Sequence, residues 1–398
     1  MLGQVLDGIK ILELGGGKAS SFCARLLADY GADVIKLEAP GSGDVLRRHG
    51  PFVGNTPHAE KSIPFLYLNT NKRSITLDIV SPTGCLILKR LAQWANVVVE
   101  GHSPSHLKGF GMGYEALSSE NPSLVMTSIT PFGQMGPYRD YKASDIVTTA
   151  MSGLMYLSGD ADKEPIRNAL DQSLYVAGTQ AAGATLAAVY QGMATSKGQH
   201  IDVSITECMA LHLVQAVSSY AYMGAVRGRR SPMNSGLDEV MPCADGYVLP
   251  SAQGSQPWEV AVELLGVEEM KAPKFSTAEG RIAHGPELYD LLIKGLWKWN
   301  RKDLFHASAE RRLLFGMVQD AGDLFECPQL RSRGFYTKGT NLEADGVEFP
   351  GEIVRLSEGS YRMQRPAPLL GQHNEEVYCG MLGYGKEEMS LLRRWGVI

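Results

Sequence analysis

The sequence predicts an α/β protein built on a doubly wound parallel sheet. Two observations carry that prediction. Short apolar runs such as "KILEL", "DVIKLE" and "NVVVE" recur through the first third of the chain, each short enough to be a buried strand. Stretches of helical periodicity stand between them, as in "SSFCARLLADYG", which ends at Gly31.

Taken in order, "GIKILEL" is the first strand, "SSFCARLLADYG" the first helix and "ADVIKLE" the second strand. A loop and "KRSITLDI" lead to a helix that sets Leu88, Leu91, Ala92 and Ala95 on one face, and "NVVVE" and "SLVMTSIT" continue the sheet. Ligands of such sheets bind beyond the carboxyl ends of the strands. The loops after Leu14, Glu38, Glu100 and Thr130 are therefore expected around one site. From Leu174 onward, Leu174, Ala177, Ala181, Ala184 and Ala188 form one face of a helix, small enough to let it sit tightly against a neighbour. Another long helix is expected after "GQHIDVSITECMALHL", and "VRGRRSPMNSG" (226–236) reads as an exposed basic connector. Residues 1–225 are expected to form a large domain, 230–330 a smaller one with α and β elements, and 331–398 a segment that returns to the first.

At 398 residues, two domains are the natural expectation, and an apolar fraction of 44% supports a large core. A net charge of −5 argues against a general nucleic-acid surface, although the first 110 residues are mildly basic and suit an anionic ligand. No run has the length of a membrane span, and "MLGQVLDGIKILEL" enters a strand without a secretory signal, so a cytoplasmic location is expected. The six cysteines are scattered without CxxC or a histidine at ligand spacing, which reads as reduced thiols and no metal site.

Few motifs survive inspection. "GGGKAS" (15–20) lacks the spacing of a phosphate loop and of a dinucleotide fingerprint, but it leaves a strand, a flexible turn and a helix N-terminus suited to an anion. His102 and His106 stand four apart around Pro104, in an expected loop that does not favour a metal. No serine lies in a GxSxG elbow. Asp171, just ahead of the small-residue helix, fits an N-cap that accepts a bond from the first turn.

The segments "GADVIKLEAPGSGDVLR", "LNTNKRSITLDI", "GMGYEAL", "PFGQMGPY", "SGLMYLSG", "ATLAAVYQGMATSKGQHIDVSITE" and "PAPLLGQHNEEVYCGMLGYGKEEMSLLRRWGVI" resemble the class III coenzyme A-transferases, a family that includes carnitine, formyl-CoA and bile-acid CoA-transferases and is related to the α-methylacyl-CoA racemases. The resemblance runs in order from Leu6 to Ile398. It implies a Rossmann-like large domain made from both chain ends, a small inserted domain and an interlocked homodimer. It also assigns Asp171 as the nucleophile, attacking the thioester of an acyl-CoA to give an aspartyl anhydride and then an aspartyl-CoA thioester. The implied partners are an acyl-CoA and a carboxylic acid acceptor. No bound cofactor is expected.

Lys18, Ala19, Gly101, His102, Ser103 and Lys142 fall on the family's CoA-contact positions. Val80, Ser103 and Gly109 stand where relatives often carry a basic residue, and Lys108 is the neighbour placed to compensate. "SAQGSQ" (251–256) matches a glycine-rich cover loop. In the racemases a histidine precedes the aspartate of this region, whereas here "KASD" places Ser144 there. Serine without an activator is no general base at neutral pH, so transfer is favoured over racemisation or another isomerisation. A non-catalytic CoA-thioester-binding protein is the remaining alternative, and it would not need Asp171.

Overall fold

The computed structural model describes residues 4–229, 238–251, 257–339, 347–359, 361 and 363–398. Six parallel strands form one sheet: β1 (Lys10–Glu13), β2 (Asp33–Glu38), β3 (Lys72–Thr76), β4 (Val97–Glu100), β5 (Val125–Thr130) and β6 (His200–Ser204). Their spatial order is β3-β2-β1-β4-β5-β6. The order reverses between β1 and β4, where Ile11 is paired with Val34 on one side and Val97 on the other. Seven helices accompany this part of the chain: α1 (Lys18–Asp29), α2 (Ile63–Leu68), α3 (Pro82–Trp94), α4 (His106–Gly109), α5 (Tyr114–Glu120), α6 (Asp145–Met151) and α7 (Gln172–Thr195).

Strand alternation sends apolar side chains to both faces, and helices cover each. Leu12, Ile35, Ile75, Val98 and Met126 meet Leu88, Leu91 and Ala92 of α3 on one face. The same face receives Met389 and Leu392 from the helix Lys386–Arg394, and the chain's last residues, Val397 and Ile398. Ile11, Val34, Val97, Val125 and Ile129 meet α1 and α7 on the other. Local signals set the ends. Ser81 accepts the Gly84 N–H with Pro82 in the first turn of α3, and Gly31 follows α1 at φ 110°, a conformation glycine adopts without strain.

Two details depart from the sequence reading. The stretch ahead of the expected later helix contributes β6, and helix begins inside it, running Ile205–Ala210, a 3₁₀ turn at Leu211–Leu213, then Val214–Met223. On α7, Ala177, Ala181 and Ala188 are buried as expected, but Ala184 is exposed and Thr185 takes its place. The Thr185 hydroxyl bonds the Ala181 carbonyl and Thr127 of β5, so it enters the core without an unpaired polar atom.

The chain divides into two compact units. The first comprises 1–154, 167–218 and 332–398, and holds the parallel sheet with both ends of the chain. The second comprises 155–166 and 219–331. Segments 155–166 and 219–225 thus leave the large domain expected over 1–225. The reason for the former is visible: the Arg229 guanidinium donates to the carbonyls of Tyr156, Asp160 and Lys163. The second unit contains the antiparallel sheet β7 (Met241–Cys243), β8 (Gly246–Ser251) and β9 (Leu314–Met317), with Val262, Leu265, Leu288, Leu292 and Leu304 in its core. Residues 230–236 of the expected connector lie outside the described residues.

Candidate active site

The loops that follow β1 and β4 touch at the point where strand order reverses. Gly15, Gly16 and Gly17 all have positive φ, and a Cβ on Gly16 would lie 2.4 Å from the Gly101 Cα. Glycine is required there because the two backbones leave no room for a side chain. His102 secures the second loop, its Nε2 lying 2.7 Å from the Leu14 carbonyl oxygen.

Beneath this turn lies a buried charge network. Glu13 accepts from Lys36 Nζ at 2.6 Å and Ser21 Oγ at 2.8 Å through one oxygen, and from Lys72 Nζ at 2.7 Å through the other. Burial alone would raise the Glu13 pKa, but the two ammonium groups outweigh it and hold it at about 2. For Lys72, burial outweighs the attraction of Glu13 and brings the pKa down to about 8. The network fixes the start of α1 to strands β1, β2 and β3.

Asp171 stands at the N-terminus of α7, but its side chain makes no cap bond. Both it and Leu170 are left-handed, at φ 56° and 63°, a strained arrangement for two successive non-glycine residues. The cap comes from elsewhere. Asp145, at the start of α6, accepts the Ser173 backbone N–H at 3.0 Å and the Ser173 hydroxyl at 2.7 Å through Oδ1. Asp145 is only 5% exposed, whereas the Asp171 side chain is 34% exposed. With the helix capped by Asp145, the Asp171 carboxylate turns outward and pairs with the Lys18 ammonium at the start of α1. Close helix packing makes that meeting possible. A Cβ on Gly178 of α7 would come within 2.8 Å of the Ala19 carbonyl oxygen and 3.2 Å of the Phe22 Cβ.

A polar cavity of about 430 Å³ opens beside the end of β4. Its lining includes Glu100, Ser103, Lys108, Ser128, Arg139 and His200. His200 Nε2 lies 2.8 Å from Ser128 Oγ, and the Tyr114 ring stacks on the imidazole. Burial raises the Glu100 pKa to about 7, although Ser128 and the His102 N–H bond its carboxylate. Burial also depresses the pKa of His200 and of His102.

The structure therefore brings some expected residues together and separates others in role. Lys18 meets Asp171, Gly101 meets the glycine turn, and Ser103 and Lys108 share the cavity wall. Ala19 is buried, and the His102 ring is occupied by Leu14 and stacked on His106. Lys142 is exposed and is not among the residues lining the cavity. Of the segment 251–256, all but Ser251 lies outside the described residues. Two contributors escaped the sequence reading: Arg139 on the cavity wall and Asp145 as the cap of α7. The first offers no signal beyond its charge, and the second requires knowing that α6 and α7 meet.

Comparison with known proteins extends over nearly all of the chain. The model of CoA-transferase family III matches residues 6–374. The succinate–glutarate CoA-transferase of Agrobacterium fabrum is 32% identical over 380 residues, covering 94% of this chain and 94% of that protein. The BbsE subunit of succinyl-CoA:(R)-benzylsuccinate CoA-transferase of Thauera aromatica is 32% identical over 412 residues, covering 100% and 99%. Among solved structures, a CAIB/BAIF family protein from Brucella suis superposes with a TM-score of 0.86 at 29% identity, covering 95% of this chain and 99% of its own. The chain belongs to CoA-transferase family III and is an enzyme of that class.

Proposed function

We propose that the protein moves coenzyme A from an acyl-CoA to a free carboxylic acid, with Asp171 as the covalent carrier. One observation carries this reading: a partly exposed carboxylate is held at a helix N-terminus without capping it, because Asp145 does that work. An aspartate needed only for stability would make the cap bond itself.

The chemistry follows from the residue type. An Asp171 oxygen attacks the thioester carbonyl, the C–S bond breaks, and CoA leaves as thiolate. The thiolate attacks the Asp171 carbonyl of the anhydride and releases the first acid as its carboxylate. The acceptor carboxylate then attacks the aspartyl-CoA thioester, and the returning thiolate attacks the acceptor's carbonyl in the second anhydride. New acyl-CoA leaves, and Asp171 is restored as carboxylate.

The turn at Lys18 and Ala19, the loop at Gly101, His102 and Ser103, and Lys142 supply the proposed CoA contacts. Lys108 and Arg139 on the cavity wall are the cations for its phosphates, in place of the basic residues absent at Ser103 and Gly109. Ser144 and Asp145 argue against racemisation: the serine is no base, and Asp145 is bonded to Ser173. The homodimer implied by the resemblance is also proposed, supported by the exposed apolar side chains of Leu186, Tyr190 and Met193 on α7. Sedimentation at micromolar concentration should give a dimer, and a folded monomer would contradict it.

The two relatives are named for transfers involving succinate or succinyl-CoA, so succinyl-CoA is the first donor to test. A panel of carboxylic acids incubated with succinyl-CoA and other acyl-CoA donors, read by mass spectrometry, should yield a new acyl-CoA that depends on both acid and enzyme. Retention of that product by Asp171→Asn would overturn the role of Asp171.

A further inference from the structure

We propose that Lys18 is the carboxylate-binding cation of the transfer cycle: it pairs with Asp171 in the resting enzyme and with the substrate acid once Asp171 is acylated. This rests on the reading of Asp171 as the nucleophile and goes beyond the CoA-contact role that the family position implies for Lys18.

The geometry separates Lys18 from the other lysines of this region. Lys36 and Lys72 have side chains with 0% exposure, and both are spent on Glu13. Lys18 is 20% exposed and its ammonium reaches the Asp171 carboxylate across the junction of α1 and α7. It is the first residue of a 12-residue helix whose N-cap, Gly17, has no side chain to satisfy the free N–H groups. Helix end and ammonium act in the same direction, favouring an anion at this point.

Charge conservation then dictates the role. Donor acylation converts the Asp171 carboxylate and a neutral thioester into a neutral anhydride and a thiolate. Return of the thiolate gives a neutral aspartyl thioester and a free carboxylate. No proton moves, and the reacting groups carry one negative charge throughout. In the thioester stage Asp171 is neutral, and the anion present is the carboxylate of the departing or incoming acid. An ammonium positioned on Asp171 faces that carboxylate directly. In the resting enzyme the aspartate occupies the same cation and excludes the acid, which enforces acyl-CoA binding before acid.

The test uses the neutral analogue of the acylated state. Calorimetric titration with succinate as probe should show Asp171→Asn binding at least tenfold more tightly than wild type. Lys18→Met in the Asp171→Asn background should abolish the gain, and Lys18→Arg should retain it. Equal binding by Asp171→Asn with and without Lys18→Met, or no gain in Asp171→Asn, would overturn the proposal. In parallel, wild type treated with succinyl-CoA alone is digested and weighed. An Asp171 adduct with no binding gain removes only the Lys18 role, whereas absence of the adduct removes the nucleophile reading itself.

Discussion

Asp145 Oδ1 accepts both the N–H and the hydroxyl of Ser173, and so one aspartate caps the helix at whose head another aspartate stands free. Asp145→Ala removes the acceptor from both groups and should cost about 1–2 kcal/mol of stability. It also lets Asp171 turn to the vacated N–H groups, lowering transfer by about tenfold or more through misplacement of the carboxylate. Asp145→Asn keeps an acceptor oxygen and should retain most of both. Thermal melts and turnover of the two variants check this, and equal effects would contradict it.

The left-handed backbone at Asp171 predicts an inversion of the usual ranking of substitutions. Glycine adopts φ 56° freely, while alanine there carries the steric cost of its Cβ. Asp171→Gly should therefore be more stable than Asp171→Ala by about 1 kcal/mol in denaturant unfolding, with both variants inactive in transfer.

Gly178 sets the approach of α1 to α7. Its replacement by alanine drives a Cβ to 2.8 Å from a backbone oxygen, so a helix must shift. Gly178→Ala should destabilise by about 1–3 kcal/mol and lower turnover, because the same shift separates Lys18 from Asp171. Wild-type stability in this variant would show that the helices yield without cost.

Glu100 predicts a pH dependence. Its folded pKa of about 7 lies above the 4.5 of an ordinary glutamate. Between these values the folded protein holds a proton that the unfolded chain releases, so this group's contribution is complete below about pH 4.5 and is lost as pH rises through 7. The full window corresponds to about 3 kcal/mol. Glu100→Gln should gain stability relative to wild type between pH 5 and pH 8. A constant difference between the two proteins would contradict the buried, protonated state.

Legibility in the sequence tracked the range of the interaction concerned. The strands around Leu12, Val34 and Val98 and the helix bearing Leu88 and Leu91 were readable because periodicity is local. Ala184 and Thr185 were not distinguishable, since either fits a 3.6-residue period and the choice depends on Thr127 in a distant strand. Strand β6 was missed because it passes directly into helix at Ile205 without a turn signal. For the proposed site, the sequence singles out the glycine turn and Asp171, but not their relation to Lys18 and Asp145. The Lys18–Asp171 pair joins residues 153 positions apart, and only the packing of two helices creates it.

The most direct test of covalent transfer through Asp171 follows oxygen. When an acceptor carboxylate attacks the aspartyl thioester, its oxygen becomes the bridge of the anhydride, and thiolate attack on the acceptor carbonyl leaves that oxygen on the enzyme. After turnover with acceptor acid fully labelled with ¹⁸O, the peptide containing Asp171 should gain the mass of one ¹⁸O, and of two after repeated cycles. Transfer that proceeds while this peptide remains unlabelled would contradict the account.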